Sequence, residues 1–177
     1  MSWVPLTSEE QASPEVKRIY DFLRENWGFV PNYFLALGFN PQLLQDQVNL
    51  FTSALFEERA LSRILKEQIA LVVSGINLSN YCLAAHLEIL GRLGIDKSLS
   101  RKLAMDYSSA PLEPNVMALF RFVDKLSRRP ADMEKPDVDR LREHGWSDGA
   151  IKDAVLITSL YACANRFSAG TGLVADF

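Results

Sequence analysis

Leu61–Gly94, LSRILKEQIALVVSGINLSNYCLAAHLEILGRLG, is the stretch whose reading decides the fold. Its apolar residues recur at helical spacing on both sides of a polar break at Asn77–Ser79, which predicts two consecutive helices. Ser62 is placed to cap the first. On a wheel of about 100° per residue, Leu61, Ile64, Leu65, Val72 and Ile76 face inward, while Arg63, Lys66 and Asn77 face away. Glu67 falls on the border beside Leu71 and Ser74, where an acid is partly buried and reaches a neighbouring helix. Gln68 lies in the apolar stripe, and a buried amide there needs partners that the sequence does not name.

The second helix opens at Ser79, a residue type whose hydroxyl accepts an orphan N–H of the first turn. Counted from that cap, Cys82 stands at N3, where the positive end of the helix dipole favours thiolate over thiol. His86 follows one turn later on the same face, and Gly94 closes the helix at C′. The stripe Ser79–Cys82–His86 continues into Ile89 and Leu93. It therefore describes equally well a plain core with a small apolar cysteine and one hydrogen-bonded histidine.

The longer pattern separates these readings by resemblance. Glu67, eleven residues, Ser79-Asn80-Tyr81-Cys82, three residues and His86 resemble the E-x11-C-x-x-C-x3-H signature of the alkylhydroperoxidase D and carboxymuconolactone decarboxylase family. The flanking run LSRILKEQIALVVS and the segment DAVLITSLYACANRFSAGTGLV, with Asn165-Arg166, also resemble that family's peroxidase-related members. The resemblance implies an all-α, multi-helix bundle of the alkylhydroperoxidase D-like type. It implies Cys82 as the nucleophile that attacks a hydroperoxide, with His86 and Glu67 as its proton relay. Ser79 stands where the family's resolving cysteine would be, and Tyr81 where alkylhydroperoxidase D has a further histidine, so both contributions are missing.

A lone thiol oxidised to a sulfenic acid needs a second thiol to return. Cys163, the only other cysteine, sits in the apolar run Val155–Ala164 and is expected to be buried core; a bridge to Cys82 would need Cα atoms within roughly 7 Å. The expectation is a peroxidase-related oxidoreductase with an antioxidant role, using one thiol and recycled by an external thiol. A carboxymuconolactone decarboxylase-like lyase remains the alternative, as does a non-catalytic oligomeric module that binds small molecules or senses redox state. The resemblance further implies a homo-oligomer. No cofactor is expected. Cys82, His86 and Glu67 in principle supply three zinc ligands, but there is no second Cys/His cluster, and the relay explains the same residues without a metal.

Composition is compatible with this reading and narrows it little. A chain of 177 residues buries roughly 70% of its unfolded surface in one domain, so residues 1–177 read as a single unit, with 1–60 and 95–177 as helices flanking the core motif at 61–94. A net charge of -3 without a basic stripe argues against nucleic acid. No 18-residue apolar run predicts a membrane span. The first residues lack the pattern of a signal peptide, and two cysteines then suggest free thiols in a reducing compartment, the cytoplasm by default.

The remaining segments also punctuate as helices. Ser13-Pro14-Glu15 starts one that ends at Gly28. Residues 29–39 are rich in aromatics, more often core than ligand cage. Asn40-Pro41 starts a helix with Leu44, Val48, Phe51 and Leu55 inward. Further helices run from Asp96 through Leu103, over Asn115–Arg128 and over Asp137–His144, with 130–136 as an exposed connector, and Ser147 caps the last. Gly94-Ile95-Asp96 and Gly145-Trp146-Ser147 echo each other as a glycine stop, an apolar anchor and a new cap. His144, near a helix end, reads as structural.

Overall fold

The structure, a computed structural model, describes residues 1–176. Nine α-helices and no strands occur among them: α1 (Pro14–Trp27), α2 (Asn32–Leu35), α3 (Pro41–Phe51), α4 (Arg63–Ile76), α5 (Asn80–Arg92), α6 (Lys97–Asp106), α7 (Pro114–Arg128), α8 (Lys135–Glu143) and α9 (Asp148–Thr171). The caps read from the sequence set most of these boundaries. Ser13, Asn40, Ser62, Asp96 and Ser147 each accept a backbone N–H of the first turn through the side chain, which answers donors the helix cannot satisfy itself. Helix α8 starts two residues before its expected position, with Pro136 inside its first turn.

Helix α4 is the hub and packs against α5, α6, α7 and α9. Every residue from Lys66 to Ser74 is buried, as a helix surrounded by others requires. Gly75 marks the closest approach: a Cβ there would lie 2.0 Å from the carbonyl oxygen of Ala104 on α6. Only a residue without a side chain lets the two backbones meet.

The two echoing corners share one geometry. Gly94 and Gly145 have φ of 82° and 85°, and the next residue donates back to the preceding helix, Ile95 N to Leu90 O at 2.9 Å and Trp146 N to Leu141 O at 3.0 Å. This is the Schellman turn, and Ile95 and Trp146 follow as its apolar anchors.

Two expectations are corrected. Lys66 does not face away from the core; it is 1% exposed, and its Nζ donates to the carbonyl of Glu57 at 2.7 Å. Glu57 follows a π-helical turn, Thr52–Phe56, that extends α3. A lysine head is stable at such a carbonyl terminus, and its aliphatic stem packs inside. Cys163 is exposed, not core. The inner stripe of α9 runs through Ala154, Ile157, Thr158, Tyr161, Asn165 and Ser168, and Cys163 sits roughly 200° round the helix from Tyr161.

Beyond α9 the chain turns at Gly172 (φ 61°) and comes back over the molecule. Leu173 is buried, and Asn32 Nδ2 donates to Val174 O at 3.1 Å. No helix is long and apolar enough to cross a membrane among the described residues.

Candidate active site

Helices α4 and α5 are joined by the tight turn Asn77–Ser79, in which Leu78 takes a positive φ of 52°. The turn sets Cys82 at N3 of α5 and His86 one turn further along. Ser79 occupies the N-cap position, but its hydroxyl makes no capping bond and is buried without a hydrogen-bond partner.

Glu67 is buried more completely than the partly buried border position expected, and it reaches His86 on the neighbouring helix. Its side chain is completely buried, and both oxygens are engaged. Oε2 lies 2.6 Å from His86 Nδ1, and Oε1 accepts from Arg63 Nε at 2.7 Å and Arg63 Nη2 at 2.6 Å. Burial pushes the carboxyl up, but the imidazole and guanidinium together outweigh it and hold Glu67 below the usual carboxylate range. Arg63, expected to face solvent, instead pairs with Glu67 and lies over the Phe56 ring at 3.7 Å. Phe56 in turn stacks on Trp27, with centroids 4.9 Å apart. The i,i+4 spacing of Arg63 and Glu67 was a signal available in the sequence.

Cys82 is 3% exposed, with Sγ 3.8 Å from Ser168 Oγ. The expected acid thiol is corrected in direction. Burial raises it; the hydroxyls of Ser79 and Ser168 pull the other way, Asp176 adds to the rise, and Ser74 opposes it without restoring the ordinary value. Desolvation of the anion exceeds what the helix start returns.

Cys82, His86, Glu67 and Tyr81 line one cavity of about 260 Å³. Its walls are mostly apolar, and the aromatics of residues 29–39 supply part of them, with Tyr33 and Phe34 joining Trp27, Phe51 and Tyr161. Tyr161 meets the His86 ring edge-to-face at 4.6 Å and fixes its plane. Tyr81 accepts the Tyr33 N–H at 3.1 Å and donates to Asp176 Oδ2 at 2.6 Å. Asp176 comes from the returning C-terminal segment and also accepts the Asn32 N–H at 2.8 Å. No sequence signal links Asp176 to Tyr81, because 95 residues separate them. Ser168 was equally illegible, since a serine on a mostly apolar helix has no spacing that marks it.

No group of three metal-ligating side chains stands together among the described residues. Cys163 lies outside the cavity lining, so the cavity holds a single thiol.

The profile of the carboxymuconolactone decarboxylase family matches residues 41–125. Among solved structures, an uncharacterized peroxidase-related protein from Silicibacter sp. TM1040 is 32% identical, with TM-score 0.87 over 96% of this chain and 91% of that one. A second uncharacterized peroxidase-related protein, an alkylhydroperoxidase AhpD core from Ralstonia eutropha JMP134, is 24% identical, with TM-score 0.91 over 99% and 92%. The debrominase Bmp8, solved as a cysteine-to-alanine variant with 2,3,4-tribromopyrrole, shares the fold at 22% identity, with TM-score 0.82 over 99% and 94%. No curated protein matches the sequence significantly.

Proposed function

Because the chain belongs to the alkylhydroperoxidase D-like and carboxymuconolactone decarboxylase family, we propose that it is a one-cysteine thiol peroxidase in which Cys82 reduces an organic hydroperoxide. The observation that carries this reading is the 2.6 Å His86–Glu67 pair in the same cavity as the only interior thiol. A buried thiol whose ionisation is opposed needs a base. Glu67, held ionised, accepts a hydrogen bond from His86 Nδ1–H and leaves Nε2 as the acceptor. His86 then takes the Cys82 proton as the sulfur attacks the peroxide oxygen, and Arg63 keeps Glu67 from becoming the proton's final site. An external thiol returns the sulfenic acid to the thiol, because no second cysteine lines the cavity.

The largely apolar wall favours a hydroperoxide with a hydrophobic body over hydrogen peroxide. It disfavours the lyase alternative, since a polyanionic lactone acid would have to leave water for a wall that is mostly apolar. The aromatic cavity also suits a small planar ring, so thiol-dependent dehalogenation of a halogenated heteroaromatic, as the name of the debrominase suggests, is the second reading. A homo-oligomer belongs to the same proposal: Val155 and Leu156 remain exposed on α9, and a monomer by light scattering would remove that part.

The test is peroxide consumption with a monothiol reductant. Cys82→Ser should abolish turnover and the trapping of a sulfenic acid by dimedone. His86→Ala should lower kcat/KM about 100-fold. Wild-type protein that forms no sulfenic acid with any hydroperoxide would remove the reading.

A further inference from the structure

Ser168 on α9 reaches the sulfur of Cys82, with its Oγ 3.8 Å from Sγ. Both residues are buried, 2% and 3% exposed, so the contact is made away from bulk solvent. A hydroxyl carries one proton, and that of Ser168 is already committed, because Oγ donates to the Ala164 carbonyl at 2.8 Å. Toward the sulfur, the thiol is therefore the donor and the serine the acceptor. That arrangement suits a neutral Cys82 and no other. Once the thiol proton has left, lone pairs of Ser168 would face an anion. The hydroxyl can turn instead, since both acceptors lie within its reach. Ala164 O lies inside α9, where the Ser168 backbone N–H serves it as well, so the carbonyl is not orphaned when the hydroxyl leaves. The bond given up is neutral and shares its acceptor; the bond gained is charge-assisted and roughly twice as strong.

We propose that Ser168 is the donor that stabilises the Cys82 thiolate: it accepts from the resting thiol and turns its own proton to the sulfur once His86 has taken the thiol's. Its part in turnover rests on the thiol-peroxidase reading above. No covalent bond changes at the serine, whose proton stays on its oxygen throughout. The titratable and charged groups that share the cavity with Cys82 are Tyr81 and His86 on α5, Glu67 and Arg63 on α4, Tyr33 on α2, Tyr161 on α9 and Asp176 of the C-terminal segment. The hydroxyls of Ser74 and Ser79 also favour the anion. Among the described residues, however, Ser168 is the one side chain in hydrogen-bond geometry with Sγ. Ser74 is turned to Ala70 O and Asn165 Oδ1, and the Ser79 hydroxyl makes no bond.

The sign of one shift separates the two jobs open to this hydroxyl. A serine that only accepts stabilises the neutral thiol, so its removal makes Cys82 more acidic. A serine that turns stabilises the anion more strongly, so its removal makes Cys82 less acidic. The experiment follows the rate of Cys82 alkylation by iodoacetamide against pH, in a Cys163→Ser background so that a single thiol reacts. The midpoint of the profile reports the thiolate and the plateau reports access. Ser168→Ala should raise the midpoint by about one pH unit. It should also lower kcat/KM for cumene hydroperoxide about tenfold at neutral pH. Ser168→Thr, which keeps a hydroxyl, should hold the wild-type midpoint. An unchanged or lowered midpoint in Ser168→Ala would overturn the donor role, as would a threonine variant that behaves like alanine. Alkylation needs no peroxide, so the two readings fail separately: a raised midpoint in a protein that forms no sulfenic acid keeps the donor and removes the peroxidase.

Discussion

At the scale of single residues, the site runs on a competition between burial and charge. Glu67 has the stronger claim to stay ionised because two cationic or proton-donating partners share it. Its folded carboxyl lies below the ordinary value of 4.5. The associated stability is therefore complete above that value and is lost as pH falls through the depressed folded one. Arg63→Ala removes one partner and leaves a buried carboxylate half-matched. The expected cost is about 3 kcal/mol at neutral pH, with acid unfolding beginning at a higher pH than in wild type, measured by urea melts across pH 3–7, a span of about four units. The thiol follows the opposite rule. With Cys82 raised by burial, peroxide turnover should still be climbing at about pH 9.5, roughly one unit above the ~8.5 of a free thiol, where an unperturbed thiol would be levelling off.

Helices and their junctions carry the fold, and here the sequence was most readable. Cap residues, prolines at the first helical positions and glycine stops specify local backbone states that few other residues satisfy. Side-chain direction was less legible on α4. A helix wheel assumes one wet face, but α4 is enclosed by four helices, so Lys66 and Arg63 had to find partners inside. The expectation for Cys163 failed because hydropathy alone does not say which part of a long apolar run looks inward. Glu67, Cys82 and His86 were legible through the resemblance of their pattern to the family's signature, which spacing alone left open; Asp176 and Ser168 reach the cavity only through tertiary folding. Gly75 also belongs at this scale. Gly75→Ala places a methyl against the Ala104 carbonyl and forces α4 and α6 apart. A loss of about 2 kcal/mol is expected from such overpacking, seen as a lower Tm with the surface helices unaltered in sequence.

Across the whole molecule, the two cysteines divide between interior and surface. Cys82 is enclosed by three helices' serines and a wall of rings, whereas Cys163 stands open on the outward side of α9. Chemical accessibility and the proposed catalytic role thus point to different atoms. An alkylating reagent or disulfide probe added to the native protein will count one prompt thiol and one slow one, and the prompt one is Cys163. Cys163→Ser should erase the fast phase while sparing peroxide turnover. Labelling speed on this protein maps which sulfur faces the bulk, and a bystander on the outside will answer first to any reagent meant for the one within.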